Sequence, residues 1–342
     1  MSLNTNKQIA AVVVTFNKKE LLRNAVQGIL NQELLPDLLL IIDNNSSDGT
    51  YDMLLENGWI EEINDDKNDV NLTSLKEYYK NEKKILIKYV SKFENDGGAG
   101  GFYEGMKQAY NDGYEWLWLM DDDGVPAKDC LKYLYDYKTK DSVIGPLVVD
   151  IETKKTASFL FDNKGQLSKV DELLKEEVLE DKLTPFNGTF IPSSIIKKIG
   201  FIKKEMFIWG DEQEYQLRIL KNGFSVKTIT KAIHYHPVNK KKPKYRSDLL
   251  KFTIYDISNP KFQFIFFRNY IFLEKKYPAL LKKGFNIRLI KLIYEALINS
   301  IYNLVIGDYL KSKICLRAIK YGLRSDFSLV FFEEISLKEN KR

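Results

Sequence analysis

Histidine and cysteine are almost absent from this chain of 342 residues, with two of each. Cys130 and Cys315 lie far apart and form no C-x-x-C pair. That excludes a disulfide framework and a cysteine zinc site, and it points to a reducing cytoplasm. Long apolar runs are missing too. The longest uncharged one in the C-terminal part, Ala296–Gly307, is too short to span a bilayer, which takes about 20 residues. The opening MSLNTNKQIA has no basic stretch followed by an apolar one, so no secretory signal is expected. Overall charge is only +5, and no nucleic-acid partner is expected. The basic excess is local. Between Lys282 and Arg324 stand Lys282, Lys283, Arg288, Lys291, Lys311, Lys313, Arg317, Lys320 and Arg324 against only Glu295 and Asp308. Such a stretch suits an anionic partner, a phosphate or an anionic membrane surface.

What remains is ordinary for a soluble globular protein, with 44% hydrophobic and 29% charged residues. The length suits one large domain or two ordinary ones. The chain opens as strand, turn, helix: IAAVVVTF is an apolar run of the buried-strand type. Asn17 is expected to cap the next helix, with Glu20 three residues on completing a capping box. A second strand, DLLLIID, runs into the turn cluster NNSSDGT. This order predicts an α/β fold with a mostly parallel central sheet. Residues 57–84 are polar and read as a loop-plus-helix insertion. ILIKYVS is the next strand, feeding the glycine loop NDGGAGG and a helix from about Phe102. EWLWLM, SVIGPLVVD and SVKTITKAIHYH read as strands, and GDEQEYQLRILKNG as a helix ending on Asn222–Gly223. A basic linker, PVNKKKPKYRS, precedes an aromatic, helical C-terminal region. The expected domains are 1–240 and 241–342. In the second, Leu289, Leu292, Ile293, Leu297 and Ile301 read as a core or dimer face.

Three stretches carry chemistry. WLWLM ends in Asp121, Asp122 and Asp123, whose mutual repulsion needs solvent or a cation to relieve it. Ligands of an open α/β sheet bind beyond the carboxyl ends of its strands, and oxygen ligands suit Mg2+ or Mn2+ bound with a substrate diphosphate. Alternation along an extended segment makes Asp121 and Asp123 the metal pair and turns Asp122 elsewhere; a solvated acidic turn is the plainer reading. The glycine loop matches neither the dinucleotide fingerprint nor a P-loop, since Met106 stands where the P-loop needs lysine. Its four glycines still allow backbone to approach a phosphate at a helix N-terminus. His234 and His236 share one face of a strand, and one of them can complete an Asp/Asp/His site. The acidic helix start offers Asp211, Glu212 and Glu214, either as favourable charge for the helix dipole or as a general base for an acceptor hydroxyl. Trp209 beside it would stack on a sugar ring.

The motifs VVVTFN with IIDNNSSDGT, NDGGAGGF, WLMDDDG, and FIWGDEQEYQLR followed by HYHP occur in that order over residues 9–237. In combination the chain resembles the inverting, nucleotide-sugar-dependent glycosyltransferases of family 2, which have a GT-A fold. It is most similar to bacterial galactofuranosyltransferases, with rhamnosyltransferases as near neighbours. The resemblance implies that Thr15, Phe16, Asn17 and Asp43 contact the base and ribose. It puts Asn95, Gly97, Gly98, Gly100 and Gly101 around the donor, with Asp122 near its sugar or ribose. It assigns Mn2+ or Mg2+ to Asp121, Asp123 and His236, and the base to Glu212. The base nevertheless stays between Asp211 and Glu212, because the family pair is Asp–Asp. Trp209 and Glu214 are the acceptor candidates.

The implied reaction moves galactofuranose from UDP-galactofuranose to a glycan or polyprenyl-linked glycan in bacterial cell-surface polysaccharide synthesis, with dTDP-rhamnose as the alternative donor. A nucleotidyltransferase, an inactive carbohydrate-binding protein and a hydrolytic glycosidase are the competing readings. The glycine loop with a metal pair argues against the glycosidase. A cytoplasmic location, peripheral contact with the inner membrane face and a homo-oligomer complete the expectations.

Overall fold

A computed structural model describes residues 7–63, 71–80, 82–160, 167–238, 245–247, 252–255, 257–278, 280 and 287–329. The chain divides into two compact units, Met1–Lys204 with Arg218–Asn239, and Glu205–Leu217 with Lys240–Arg342. Residues 205–217 therefore group with the C-terminal unit. The sequence boundary near 240 and most of the basic linker lie outside the described residues, as do Lys282 and Lys283.

The first unit begins β1 (Ile9–Thr15), α1 (Lys19–Leu30), β2 (Leu38–Asp43), α2 (Thr50–Glu56), β3 (Asn71–Lys80) and β4 (Lys83–Lys92). It continues with α3 (Gly97–Asn111), β5 (Trp116–Asp121), β6 (Val125–Pro126), α4 (Cys130–Asp136) and β7 (Ser142–Asp150). Then come α5 (Val170–Leu173), β8 (Val178–Glu180), β9 (Asn187–Pro192), α6 (Ser193–Ile199), α7 (Asp211–Lys221) and β10 (Ser225–His236). Helix α7 starts among the residues of the second unit and ends in the first.

The strands form one sheet in the order β3-β4-β2-β1-β5-β9-β7-β10-β6, with β8 also on β10. The run β4-β2-β1-β5 is parallel, as is β7-β10; β9 enters antiparallel between β5 and β7. All of β1, β2 and β7 are buried, as a sheet covered on both faces requires. Along β1 the pleat sorts the side chains. Ala11 and Val13 join Leu22, Val26 and Ile29 of α1 in the largest core cluster, whereas Val12 and Val14 meet α3.

Three local expectations change. Helix α1 begins at Lys19 without a side-chain cap. Asn17 is instead held at φ 52°, because its side chain works across the loop, with Oδ1 accepting from Ser47 N (2.7 Å). The polar segment 57–84 contains no described helix but the strand β3, antiparallel to β4 along its length; residues 64–70 and 81 lie outside the described ones. Its polarity is that of an edge strand, which needs only one apolar face. Helix α3 starts at Gly97, five residues earlier than expected from Phe102, so the glycine loop is the helix's own first turn.

In the second unit β11 (Tyr245–Ser247) pairs antiparallel with β12 (Phe252–Ile254). Helices α8 (Pro260–Lys276), α9 (Ile287–Val305) and α10 (Tyr309–Arg324) follow. Asn259 caps α8, accepting from Lys261 N (2.8 Å), with Pro260 in the first turn. Phe264, Ile265, Phe267 and Ile271 of α8 form a core with Ala296, Ile314, Cys315 and Ala318. Leu289, Leu292 and Ile293 pack against it. Leu297 and Ile301, expected to share that face, are exposed instead, because Glu295, Asn299, Ser300 and Asn303 take the inward positions. No helix among the described residues is long and apolar enough to cross a membrane.

Candidate functional site

The carboxyl ends of β1, β2 and β5 lie side by side, with Thr15 paired to Asp43 and Val14 to Asp121. The loops that follow β1 and β2 are stitched together: Asn17 N donates to Ser46 Oγ (2.9 Å) and Lys19 N to Asp48 Oδ2 (2.9 Å). Asp43 anchors the second loop. Its Oδ1 accepts from Ser46 N (2.8 Å) and its Oδ2 from Tyr89 Oη (2.7 Å); burial pushes the carboxyl up from the ordinary range despite those bonds. Phe16 alone of this group presents a large apolar surface to solvent, 42% exposed, as a ring for a nucleobase would have to be.

Asn95 and the glycines join this corner from the start of α3. Asn95 Oδ1 accepts from Gly97 N (2.8 Å), and the buried Asn44 Nδ2 donates to Gly97 O (2.9 Å). Gly97 itself sits at φ 81°, a left-handed conformation that favours glycine. The glycines then divide. A Cβ on Gly101 would come within 2.3 Å of Val14 Cγ1, and one on Gly105 within 2.4 Å of Val12 Cγ1. Those two let α3 lie close on β1. Gly98 has no heavy atom within 4 Å of where its Cβ would be, so its bareness serves no packing and leaves backbone open to a ligand.

The three aspartates separate at the end of β5. Asp122 is buried and turned back to the β1 loop, accepting from Thr15 Oγ1 (2.8 Å) and Phe16 N (3.4 Å). Asp123 turns to His236 at the end of β10, with Oδ1 3.0 Å from Nε2. The positive charge beside them is Lys18, whose Nζ lies 3.2 Å from Asp122 Oδ1 and 2.9 Å from Asp123 Oδ2. Burial opposes the ammonium, but the two carboxylates hold its pKa well above the usual lysine value. Burial likewise raises Asp122 above the ordinary range. For Asp123 burial acts upward too, yet His236 and Lys18 outweigh it and hold the carboxyl well below that range.

A cation fits one place here. Asp123 Oδ1 is buried without a hydrogen-bond partner, so the His236 approach is close but out of line. His236 Nδ1 lies 2.7 Å from Pro237 O, and a carbonyl only accepts, so Nδ1 is protonated. With Nδ1 so engaged, Nε2 is the nitrogen turned to Asp123 Oδ1, and a divalent cation held there would draw on both. Among the described residues no three His, Cys, Asp or Glu side chains already converge on one point, so Asp121 is not gathered with the other two. His234 stands apart from the ligands. It is fully buried with neither ring nitrogen bonded, and burial holds it neutral, with a pKa down at about 3. A Cβ on Gly124 would lie 2.1 Å from its Nε2, so Gly124 makes room for that ring behind the triplet.

The remaining candidates belong to the second unit. Phe207, Trp209 and Gly210 all have positive φ, at 70°, 62° and 85°. Two residues that sequence reasoning left without a role hold this strained turn. Asn269 Nδ2 faces the carbonyls of Met206 (2.9 Å), Ile208 (3.0 Å) and Trp209 (2.8 Å). The fully buried Arg268 donates from Nε to Asn269 Oδ1 (2.9 Å) and from Nη2 to Met206 O (3.1 Å). Their only signal in sequence is adjacent polar residues inside an aromatic helix. The turn delivers Trp209, half-buried against Phe262 (5.6 Å between centroids), and the start of α7. Asp211 there is 4% exposed, and burial, with Glu214 adding repulsion, pushes its carboxyl up to about 6. Glu212 is half-buried. Glu214 is fully buried, accepting from Tyr277 Oη (2.7 Å), so its carboxylate is engaged within the helical core.

The family model described as Glycosyl transferase family 2 matches residues 10–58 and 63–190, just over half of the chain. Galactofuranosyltransferase GlfT1 of Mycolicibacterium smegmatis is 26% identical over 239 residues, covering 67% of this chain and 70% of that protein. Galactofuranosyltransferase GlfT1 of Mycobacterium tuberculosis H37Rv is 28% identical over 239 residues, covering 68% and 70%. Among solved structures, GalNAc-T7 with UDP, GalNAc and Mn2+ superposes at a TM-score of 0.52 with 14% identity, over 94% of this chain and 56% of that one. That last likeness is one of fold.

Proposed function

The chain belongs to glycosyl transferase family 2, has the GT-A fold, and is a hexosyltransferase; from there we propose that it transfers galactofuranose from UDP-galactofuranose, with inversion, to a hydroxyl of a glycan or lipid-linked glycan in bacterial cell-surface polysaccharide synthesis. Its curated relatives are galactofuranosyltransferases, which supports the donor sugar. The observation that carries the reading is the buried Asp123 Oδ1 set 3.0 Å from His236 Nε2, at the mouth of the stitched β1 and β2 loops.

Asp123 and His236 would hold Mn2+ or Mg2+, with Asp121 as the third ligand expected from the sequence. A divalent cation there supplies positive charge against the diphosphate that leaves. Phe16 stacks on the base, and the Gly98 backbone approaches the donor from the start of α3. Asp122 keeps the β1 loop in register through Thr15 and Phe16 N. Lys18, half exposed and flexible, swings to the donor's phosphates once the carboxylates have another cation. Trp209 offers a face to the acceptor sugar. Glu212 takes the proton from the attacking hydroxyl, because an acceptor arriving from solvent reaches it more readily than the 4% exposed Asp211. No covalent intermediate forms.

Incubation of the chain with UDP-galactofuranose, a galactoside acceptor and Mn2+ tests this. The expected result is UDP release and one glycoside of inverted configuration by NMR. Turnover of dTDP-rhamnose but not UDP-galactofuranose would overturn the donor assignment, and turnover of no nucleotide sugar would overturn transfer itself.

A further inference from the structure

Helix α9 places polar residues at most of its fully buried positions. Its buried positions are Glu295, Ala296, Asn299, Ser300 and Asn303, four of them polar, and each polar one has a partner. Glu295 accepts from Tyr255 Oη (3.0 Å), and Asn299 donates to Thr253 O (2.8 Å) while accepting from Tyr255 N (3.1 Å). Ser300 Oγ donates to Ser312 O (3.0 Å), and Asn303 Nδ2 meets Cys315 Sγ at 4.0 Å. Leu289, Leu292 and Ile293 pack on the core, but a second apolar set faces the other way. Ile287, Ile290, Tyr294, Leu297, Ile301 and Leu304 are all exposed, Ile287 at 70% and Ile290 at 62%. At α-helical pitch these six share a stripe about 100° wide along the whole helix. Val305, 78% exposed, closes the helix, and Ile306, 54% exposed, follows just past its end. A contiguous stripe of this kind marks an interaction surface.

Charge decides what covers it. Helix α10, joined to α9 by the turn at Gly307 and packed on it through Ser300 and Ser312, exposes Lys313, Arg317, Lys320 and Arg324. Helix α9 adds Lys291, also exposed, its Nζ 3.8 Å from Glu295 Oε1. The two helices carry only two acids. Glu295 is buried as described, and Asp308 caps α10, accepting from Lys311 N (2.9 Å). A second copy meeting this surface across a two-fold axis would bring the same basic ladder against itself. A bilayer with anionic headgroups offers acyl chains to the stripe and negative charge to the ladder together. Tyr294 and Tyr309, both exposed, are residues that favour the headgroup level.

We infer that the α9–α10 hairpin is a peripheral anchor for an anionic lipid surface, with the Ile287–Leu304 stripe among the acyl chains and the α10 ladder at the headgroups. The anchor lies on the bilayer and does not cross it. Its argument is independent of the transferase reading, since vesicle binding needs no turnover.

Co-sedimentation of the full chain with phosphatidylcholine vesicles, with and without phosphatidylglycerol, tests this. The protein should pellet with the anionic vesicles at low ionic strength, about tenfold less with the neutral ones, and less again in high salt. A triple variant, Ile290→Ser with Leu297→Ser and Ile301→Ser, should stay in the supernatant while keeping the wild-type far-UV circular dichroism and UDP binding. Lys313→Glu with Arg317→Glu should lower anionic-vesicle binding by about tenfold or more. Wild-type protein that stays in the supernatant, or a triple variant that pellets like wild type, would overturn the inference. A wild-type dimer by sedimentation equilibrium that the triple variant lacks, without vesicle binding, would hand the stripe to a second copy.

Discussion

Lys18 supplies what three adjacent aspartates need, and it does so with a flexible ammonium that another cation can displace. If Asp123 holds the divalent ion as proposed, Lys18 competes with it in donor-free protein, so Lys18→Met should bind Mn2+ about tenfold more tightly, a shift of one charge contact. Mn2+ EPR titration without nucleotide measures this, and an unchanged or weaker affinity would remove Lys18 from the competition. Asp123→Asn should abolish Mn2+ binding, whereas Asp122→Asn should keep it and lose turnover, because Asp122 serves Thr15 and Phe16. A different residue sets a pH dependence. The Asp211 carboxyl is raised from the unfolded value near 4 to about 6, so the folded state holds its proton more tightly. That costs nothing below about pH 4, grows as pH rises, and is complete above about pH 6, reaching at most about 3 kcal/mol. Asp211→Asn should therefore gain stability over wild type as pH rises through that window, measured by urea denaturation at several pH values. The sequence points to the aspartate triplet and His236 because carboxylates ending an apolar strand have few structural uses, and the structure brings Asp123 and His236 to within 3.0 Å of each other. Lys18 was not, since one lysine among 52 basic residues carries no local signal.

At the scale of elements, α3 shows how one composition hides two purposes. The sequence announces glycines before a helix, but only the structure separates those pressed on β1 from the one facing open space. Gly101→Ala should destabilise the protein by about 1–3 kcal/mol, since its Cβ would strike a buried valine. Gly98→Ala should leave the melting temperature unchanged within a degree or two and weaken UDP binding, by calorimetry. The strained turn before α7 makes a complementary case. Asn269→Ala frees three carbonyls and lets Phe207–Gly210 relax, so kcat should fall by about a hundredfold, the scale of a misplaced catalytic group, with UDP affinity retained. Equal losses in UDP affinity and kcat would mean general unfolding instead. The polar β3 segment was misread because periodicity reports burial, and an edge strand buries little. Lengthy apolar strands such as β1, β2 and β5 were plain for the opposite reason.

For the whole molecule, the division into units matters more than their number. Residues 205–217 interrupt the first unit in sequence and find their partners, Arg268, Asn269, Phe272 and Tyr277, in the second. A chain cut after residue 239 should keep the sheet and measurable UDP binding. It should have no transferase activity and a lower unfolding midpoint, because Met206, Leu217 and Glu214 lose the core that buries them. Restored activity on adding the 240–342 fragment would be expected only if that fragment is present during refolding. The same interleaving orders events in the cell. Asn269 leaves the ribosome 63 residues after the Met206 carbonyl it must bind, so at ordinary rates of synthesis the acidic helix start waits several seconds for its support. Under the proposed function, the corner that would bind the nucleotide is finished first and the one that would accept the proton last. On that proposal a chain cut before Asn269 would capture donor without spending it.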